Sequence, residues 1–188
     1  WAPEIFYNED DDEYIIHFSA TVKADGYQKM AIYYTKTKDF ENFTMPELFF
    51  EKACGVFDSH LVKIGDTYHL FYKTSAEPLM NMHATSNSLF GKWQHDYDFQ
   101  KYMQTLYRPG SHEAATTYIL PDGKWCLMLD FFGCEKEKMG YVPFISEKAG
   151  DAHFHQVNQL FSFPYGFKHG GVIEISDEEY ERLSVSYF

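Results

Sequence analysis

Apolar and polar residues alternate in short runs along most of this 188-residue chain, a pattern typical of β-strands whose two faces meet different surroundings. Turn residues separate the runs, as at Gly65-Asp66 and at Pro121-Asp122-Gly123. Each such pair of runs predicts a β-hairpin. A helical signal occurs at the end of the chain, where Ser176 and Glu179 have the spacing of a capping box. It predicts one short terminal helix.

Three hairpins repeat along the chain, and each has a carboxylate close to the start of its first strand. The aromatic residues Tyr14, Tyr68 and Trp125, which open the second strands, follow one another at intervals of 54 and 57 residues. A repeat of this length made of strands is typical of β-propeller blades, so the sequence predicts an all-β propeller. The predicted blades span about 1-54, 55-108 and 109-160, and the closing segment 161-188 adds one predicted strand at Gly170 to Ile175.

The acids Glu4, Asp58 and Glu113 precede these aromatic residues by ten or twelve positions. Residues that open the innermost strands of a propeller gather around one mouth of its axial channel. Equivalent placement in three blades would therefore bring the three carboxylates to a common cleft. The alternative is that each acid near a turn is simply solvated, and the recurrence in register favours the cleft.

The composition favours a neutral, polar ligand for such a cleft. The formal net charge of −12 and the lack of a Lys/Arg cluster argue against nucleic acids and anionic lipids, whose phosphates the protein would repel. No apolar stretch approaches the roughly 20 residues that a membrane-spanning helix needs. Aromatic residues make up 19% of the chain, and most are expected to pack between sheets. Trp1, Phe57 and Phe132 lie close to the acids or to the following strand and are candidate platforms for the stacking of sugar rings.

Two further patterns carry less information. His153-x-His155 could ligate a metal on one strand face, but no third ligand has a suitable spacing, and a surface loop is the simpler interpretation. The cysteines Cys54, Cys126 and Cys134 are odd in number and form no CxxC pair. They therefore indicate neither a zinc site nor a complete disulfide framework.

Five short segments, spread over nearly the whole chain, form a recognisable series. They are Trp1 to Tyr7 (WAPEIFY), Phe57-Asp58, Ser111-His112-Glu113, His169 to Ile173 (HGGVI) and Ile175 to Tyr180 (ISDEEY). In order and spacing they resemble the landmarks of glycoside hydrolase family 43. The resemblance implies a five-bladed β-propeller that hydrolyses arabinose, xylose or sometimes galactose linkages of plant polysaccharides, with inversion at the anomeric carbon. It also implies an extracellular or periplasmic location.

Enzymes of the family that this chain resembles use three carboxylates. A general acid protonates the leaving oxygen and a general base activates water on the opposite face; inversion requires the two to stand about 6.5 to 9.5 Å apart. The third carboxylate raises the pKa of the acid and orients it. By motif, Glu113 matches the acid and Asp58 matches the pKa modulator. His169 matches a histidine near the axial channel, where some relatives hold a cation, often calcium, through water; no cofactor is otherwise required.

The general base of the family is matched by no residue of this chain. In the family it is an aspartate of an opening blade, typically in an Asp-Pro pair upstream of the WAPEI segment, and the chain contains no such pair. We therefore expect the chain, which begins at Trp1, to be the later part of a longer protein. Glu4 as a substitute base is disfavoured because it belongs to the WAPEI landmark itself.

Three interpretations of the function stay open on the sequence alone. The first is an inverting glycosidase that acts on an oligo- or polysaccharide. The second is a catalytically inactive relative that only binds carbohydrate. In the third, another chain supplies the missing blades, which predicts a homo-oligomer. The sequence does not distinguish the sugar, the linkage, or exo from endo action.

Overall fold

The computed structural model describes residues 1–76, 79–106, 111–132, 139–157, 161–162 and 169–186. They form three four-stranded antiparallel sheets whose strands follow one another in chain order, so the predicted all-β class is confirmed. The first sheet contains β1 Glu4–Asn8, β2 Glu13–Ala20, β3 Ala31–Thr37 and β4 Glu47–Phe50. The second contains β5 Val56–Ile64, β6 Thr67–Thr74, β7 Asn81–Ser86 and β8 Gln94–His95. The third contains β9 Ser111–Ile119, β10 Trp125–Phe132, β11 Gly140–Ser146 and β12 His155–Gln156.

Tight turns join the first two strands of the second and third sheets where the sequence predicts them. Gly65 and Asp66 link β5 to β6, and Gly65 has a φ of 59°. This left-handed conformation carries no steric cost for a residue without a side chain, which is why glycine suits the first position of a two-residue hairpin loop. Between β9 and β10, Gly123 has a φ of 84°, and its N–H donates to the carbonyl of Leu120 at 2.8 Å.

The main hydrophobic core lies between neighbouring sheets. The strands β6 and β10 carry nearly continuous buried runs, as expected for strands covered on both faces. Fully buried members of this core come from all three sheets and include Ile15, Ile32, Leu70, Leu127 and Leu129. A second cluster lies on the other face of the third sheet and contains Cys126, Met128, Tyr141, Ile145 and Val157.

A β-bulge interrupts the first hairpin of each sheet. At each bulge two residues of the inner segment face a single residue of the next strand: Ala2 and Pro3 in the first sheet, Asp58 and Ser59 in the second, Ala114 and Ala115 in the third. The first residue of each pair has a positive φ, between 42° and 53°. Such bulges bend a strand and change the direction of its side chains.

The bulges show that the predicted equivalence of the three acids is wrong. Asp58 is the first residue of its bulge, Glu113 lies one residue before Ala114, and Glu4 lies two residues after Ala2. The number of residues from the bulge to the aromatic residue that opens the second strand differs by one or two between the hairpins. A similar spacing to that aromatic residue therefore does not place the acids in the same register.

The predicted strand at Gly170 to Ile175 is also wrong. Residues 170–176 have no regular secondary structure, and most of them are exposed. A strand needs a neighbouring backbone to pair with, and no other described segment pairs with this one. Its contact with the sheets is instead made by Tyr141, whose hydroxyl hydrogen-bonds to the backbone of Gly170.

The predicted terminal helix is confirmed as α2, Asp177–Ser186. Its capping box is complete, because the Ser176 N–H donates to the Glu179 carboxylate at 2.8 Å and the Glu179 N–H donates to the Ser176 hydroxyl at 3.2 Å. These bonds satisfy backbone donors that the first turn of a helix would otherwise leave unpaired.

The sequence pattern does not predict the other described α-helix, α1, Tyr97–Thr105. The Asp96 carboxylate caps its N-terminus by accepting from the Phe99 N–H at 2.9 Å. Only Phe99 and Met103 of this helix are buried, so no sustained helical period is visible. Neither α1 nor any other helix in the described part of the chain combines the length and apolar composition needed to cross a membrane.

Candidate functional site

Asp58 occupies a conformationally unusual position at the bulge of β5. Its φ of 50° lies in the left-handed region, which aspartate tolerates better than most residues. Its N–H donates to the hydroxyl of Ser19 in the first sheet at 3.2 Å, so two sheets fix the backbone. The side chain is 3% exposed, and its Oδ1 atom has no hydrogen-bond partner among the described residues.

The surroundings of Asp58 favour the protonated form of its carboxyl. Burial raises its pKa, and the negative charge of Glu113 raises the pKa further. His169 and the Lys73 ammonium act in the opposite direction. The net effect is a pKa above the ordinary value for aspartate, because burial and the charge of Glu113 outweigh the opposing contributions.

Glu113, on β9, pairs with a lysine from the neighbouring sheet. The Nζ atom of Lys73 is 2.7 Å from Oε2 of Glu113, and the lysine side chain is 4% exposed. The ammonium also lies over the rings of Phe57 and Phe132, at 5.2 Å and 4.1 Å from their centroids. These distances are within the range of cation–π attraction. An ion pair and two aromatic rings therefore hold the buried lysine.

His169 lies between three carboxylates. Its Nε2 atom is 3.7 Å from Oδ2 of Asp58, and its Nδ1 atom is 3.9 Å from Oε1 of Glu113 and 3.6 Å from Oδ2 of Asp130. One donor atom from each of Asp58, Glu113 and His169 lies within 4.8 Å of the other two. The structure thus brings these three predicted site residues together, although the two acids hold different register positions.

This group of side chains has the chemistry of a cation site. Two carboxylates and an imidazole offer three donor atoms and negative charge, and Oδ1 of Asp58 is buried without a hydrogen-bond partner in the described part of the chain. Calcium takes about six to eight oxygen ligands. Asp58 and Glu113 could hold it only if water or other oxygens completed the coordination.

A cavity of about 540 Å³ opens beside His169, lined by the first strands of all three sheets and by the segment that follows the histidine. Glu4 and Asp58 both line it. Oε2 of Glu4 accepts a hydrogen bond from Nδ1 of His60 at 2.8 Å, and Nε2 of His60 accepts from the backbone N–H of Thr117 at 3.1 Å. His60 therefore links the three sheets and fixes the Glu4 carboxylate at the cavity wall.

The three aromatic residues predicted as sugar platforms have different surroundings. Phe57 and Phe132 both contact the Lys73 ammonium through their rings. Trp1 is 76% exposed and precedes β1, and its backbone pairs with that of Ser19 in the first sheet. Stacking of a sugar on any of the three stays a prediction.

Two residues of the site, Lys73 and His60, were missed by the sequence reasoning. Lys73 did give a signal, because it is a charged residue within the largely apolar strand YHLFYKT, and a lysine buried in a strand needs a charged partner. His60 gave none, since nothing in its local sequence distinguishes it from the other histidines of the chain.

Comparison with known proteins identifies the family. A family model described as "Probable glycosyl hydrolase domain", related to glycoside hydrolase family 43, matches residues 1–181. The chain belongs to this family. The resemblance to family 43 is therefore confirmed.

Individual relatives are more distant. An α-L-arabinofuranosidase of Bifidobacterium longum subsp. longum is 31% identical over 86 residues, which cover 39% of this chain and 8% of the relative. A thermostable family-43 glycoside hydrolase of known structure gives a TM-score of 0.60 at 15% identity, covering 84% of this chain and 53% of its own. An α-L-arabinanase from Penicillium chrysogenum, complexed with arabinobiose, gives 0.57 at 12% identity, covering 84% and 49%. The chain spans about half the length of these two structures, and the likeness shows a shared fold.

Proposed function

We propose that this chain is part of an inverting glycosidase that acts on arabinose- or xylose-type linkages of plant polysaccharides, with Glu113 as the general acid. The observation that carries the proposal is the meeting of Glu113, Asp58 and His169 beside a cavity. Membership of a glycosyl hydrolase family supports the reaction class. The arabinofuranosidase and arabinanase among the relatives support the arabinose class of substrate.

In the proposed reaction, Glu113 gives its proton to the leaving oxygen while water attacks the anomeric carbon from the opposite face. Asp58 lies close enough to act on Glu113 by like-charge repulsion and to help orient it. A general base must accept the proton of the attacking water. We assign that base to a part of the protein outside residues 1–188, in a five-bladed propeller to which these three sheets contribute.

Replacement of Glu113 by glutamine in the full-length protein tests the role of the acid. Glutamine has a similar size but no acidic proton, so kcat/KM on arabino- or xylo-oligosaccharides should fall about 10³-fold. Hydrolysis of 4-nitrophenyl glycosides should fall much less, because nitrophenolate leaves without protonation. Glu13→Gln is the matched control: Glu13 also pairs with a lysine, Lys36, at 2.6 Å, but it lies outside the group formed by Asp58, Glu113 and His169, and its loss should leave both activities unchanged.

Different outcomes would identify different errors. Undiminished activity of the Glu113→Gln protein on both kinds of substrate would refute the assignment of the acid. If the full-length protein bound the oligosaccharides in calorimetry but turned over neither substrate class, the cavity would be a carbohydrate-binding site without catalysis. Proton NMR of the first product anomer released decides between inversion and retention.

We also propose that His169, together with Asp58 and Glu113, holds a calcium ion through water. When bound, the ion would supply positive charge that offsets the neighbouring carboxylates. After treatment with EDTA, added calcium should raise the unfolding temperature of the protein and should have a smaller effect on a His169→Ala variant. The same unfolding temperature with and without calcium would contradict this site.

A further inference from the structure

The two oxygen atoms of the Glu113 carboxyl have different surroundings. Oε2 is 2.7 Å from the Lys73 ammonium. Oε1 lies on the other side, 3.9 Å from Nδ1 of His169, which lines the cavity. The other charged groups near Glu113 among the described residues are Asp58 on β5 and Asp130, its cross-strand neighbour on β10.

A lysine ammonium can only donate hydrogen bonds. Oε2 can accept this hydrogen bond when the carboxyl is ionised. It can also accept it when the carboxyl is protonated, provided that the proton is on the other oxygen. The contact with Oε2 therefore selects Oε1, the oxygen near His169 and the cavity, as the atom that carries a proton. The same ammonium remains beside the carboxylate after the proton has left, where it stabilises the new negative charge.

Lys73 itself has little freedom to move. It lies on β6, where it pairs with Phe57 on one side and Asn81 on the other. Its side chain is almost fully buried, with the rings of Phe57 and Phe132 against the ammonium. A buried charge of this kind is costly unless it is paired, so the lysine and Glu113 hold each other in place across two sheets.

We propose that Lys73 is a positioning residue for Glu113, which holds Oε2 so that Oε1 presents the transferable proton to the leaving oxygen. This inference rests on the proposed role of Glu113 as the acid. In the step, the O–H bond at Oε1 breaks and a new O–H bond forms at the glycosidic oxygen. The glycosidic C–O electron pair goes to the leaving oxygen, and the O–H electron pair stays on the Glu113 carboxylate beside Lys73.

Substitution of Lys73 in the full-length protein tests the positioning role. Lys73→Met fills the space between the two phenylalanine rings but cannot hold Oε2. We expect kcat on oligosaccharides to fall about 100-fold, the cost of a misplaced catalytic group, with KM nearly unchanged and with much smaller losses on 4-nitrophenyl glycosides. Lys73→Arg keeps a cationic donor and should recover part of the loss. A merely structural role would instead lower the yield or stability and affect both substrate classes alike.

The matched control is Lys36→Met. Lys36 makes the same two kinds of contact, an ion pair with Glu13 at 2.6 Å and a cation–π contact with Phe90 at 5.0 Å, away from the cavity. This variant should keep the kinetics of the wild-type protein. If Lys73→Met does not fold, Lys73→Leu, which also lacks a donor, carries the same kinetic comparison.

A double-mutant cycle separates this inference from the proposed function. If Lys73 acts through Glu113, then Lys73→Met should have no further effect on the residual rate of the Glu113→Gln protein. An equal loss in both backgrounds would overturn the positioning role and leave the general acid in place. Wild-type kinetics for Lys73→Met would overturn it too. Full activity of Glu113→Gln alone would refute the proposed function itself.

Discussion

The buried residue His17 predicts how the stability of this protein depends on pH. His17 lies on β2 with no exposed surface; its Nδ1 atom is 2.8 Å from the Ser59 hydroxyl, and its Nε2 atom has no hydrogen-bond partner in the described part of the chain. Burial lowers its pKa from 6.5 to about 4, and the negative charge of Glu4 offsets this only in part. The folded protein therefore keeps His17 neutral at pH values where the unfolded chain binds a proton.

The sign and size of the effect follow from this difference. The pKa of His17 is lower in the folded state, so its stabilising effect is fully present above pH 6.5 and is lost as the pH falls towards 4. A change from 6.5 to about 4 corresponds to about 3 kcal/mol of unfolding free energy at the acid end. By pH 5 about 2 kcal/mol of it should already be lost.

His17→Gln isolates this contribution, because glutamine can still bond to Ser59 but does not titrate. Urea unfolding of both proteins at pH 7.5 and pH 5 should show that the wild type loses about 2 kcal/mol more than the variant. His153→Asn is the control: His153 is exposed, and the Asp151 carboxylate raises its pKa, so its removal should not reproduce the effect. A parallel loss of stability in wild type and His17→Gln would refute the argument that burial keeps His17 neutral.

Two further predictions concern Asp58 and the terminal helix. Asp58→Asn removes a buried acid whose pKa is raised, so in EDTA the variant should unfold at a higher temperature than the wild type at pH 7, and it should lose glycosidase activity; a lower unfolding temperature in EDTA would contradict the cost assigned to this charge. Ser176→Ala removes one half of the capping box of α2 and should lower the hydrogen-exchange protection of that helix by about 1 kcal/mol. Unchanged protection of the Glu179 amide would show that the cap contributes nothing.

Hairpins could be predicted from the sequence because their signals are local. Alternating residues, the turn at Gly65 and the capping box at Ser176 each act within a few residues. The segment 170–175 has apolar residues suited to a strand, but a strand also needs a partner, which the local sequence cannot show. The sequence pattern does not predict α1, because only Phe99 and Met103 of this helix are buried. Two buried apolar positions are too few to show a helical periodicity.

The members of the site were predicted from the family landmarks and not from the register of the acids in their strands. Family landmarks led to Asp58, Glu113 and His169, and these residues do meet. The argument from equal spacing reached the same two acids for a wrong reason, since bulges are not visible in the spacing of aromatic residues. Lys73 could be singled out as an unusual lysine, but its partner is 40 positions away on another sheet, and only the packing of the sheets shows it.

The bulges explain how acids from different register positions reach one site. Phe57 and Glu113 hold equivalent places in their sheets, since both precede a bulge and pair with the equivalent residues Lys73 and Asp130. Adjacent residues of a regular strand point to opposite faces, so Asp58, one position after Phe57, would be directed away from the side on which Glu113 lies. Its positive φ changes that direction. In the second sheet, the position before the bulge can therefore hold the ring of Phe57. This ring packs against Lys73, the lysine that pairs with Glu113. Of the two equivalent places, the one in the third sheet therefore carries the carboxyl group, and the one in the second sheet carries a ring that packs against its lysine partner.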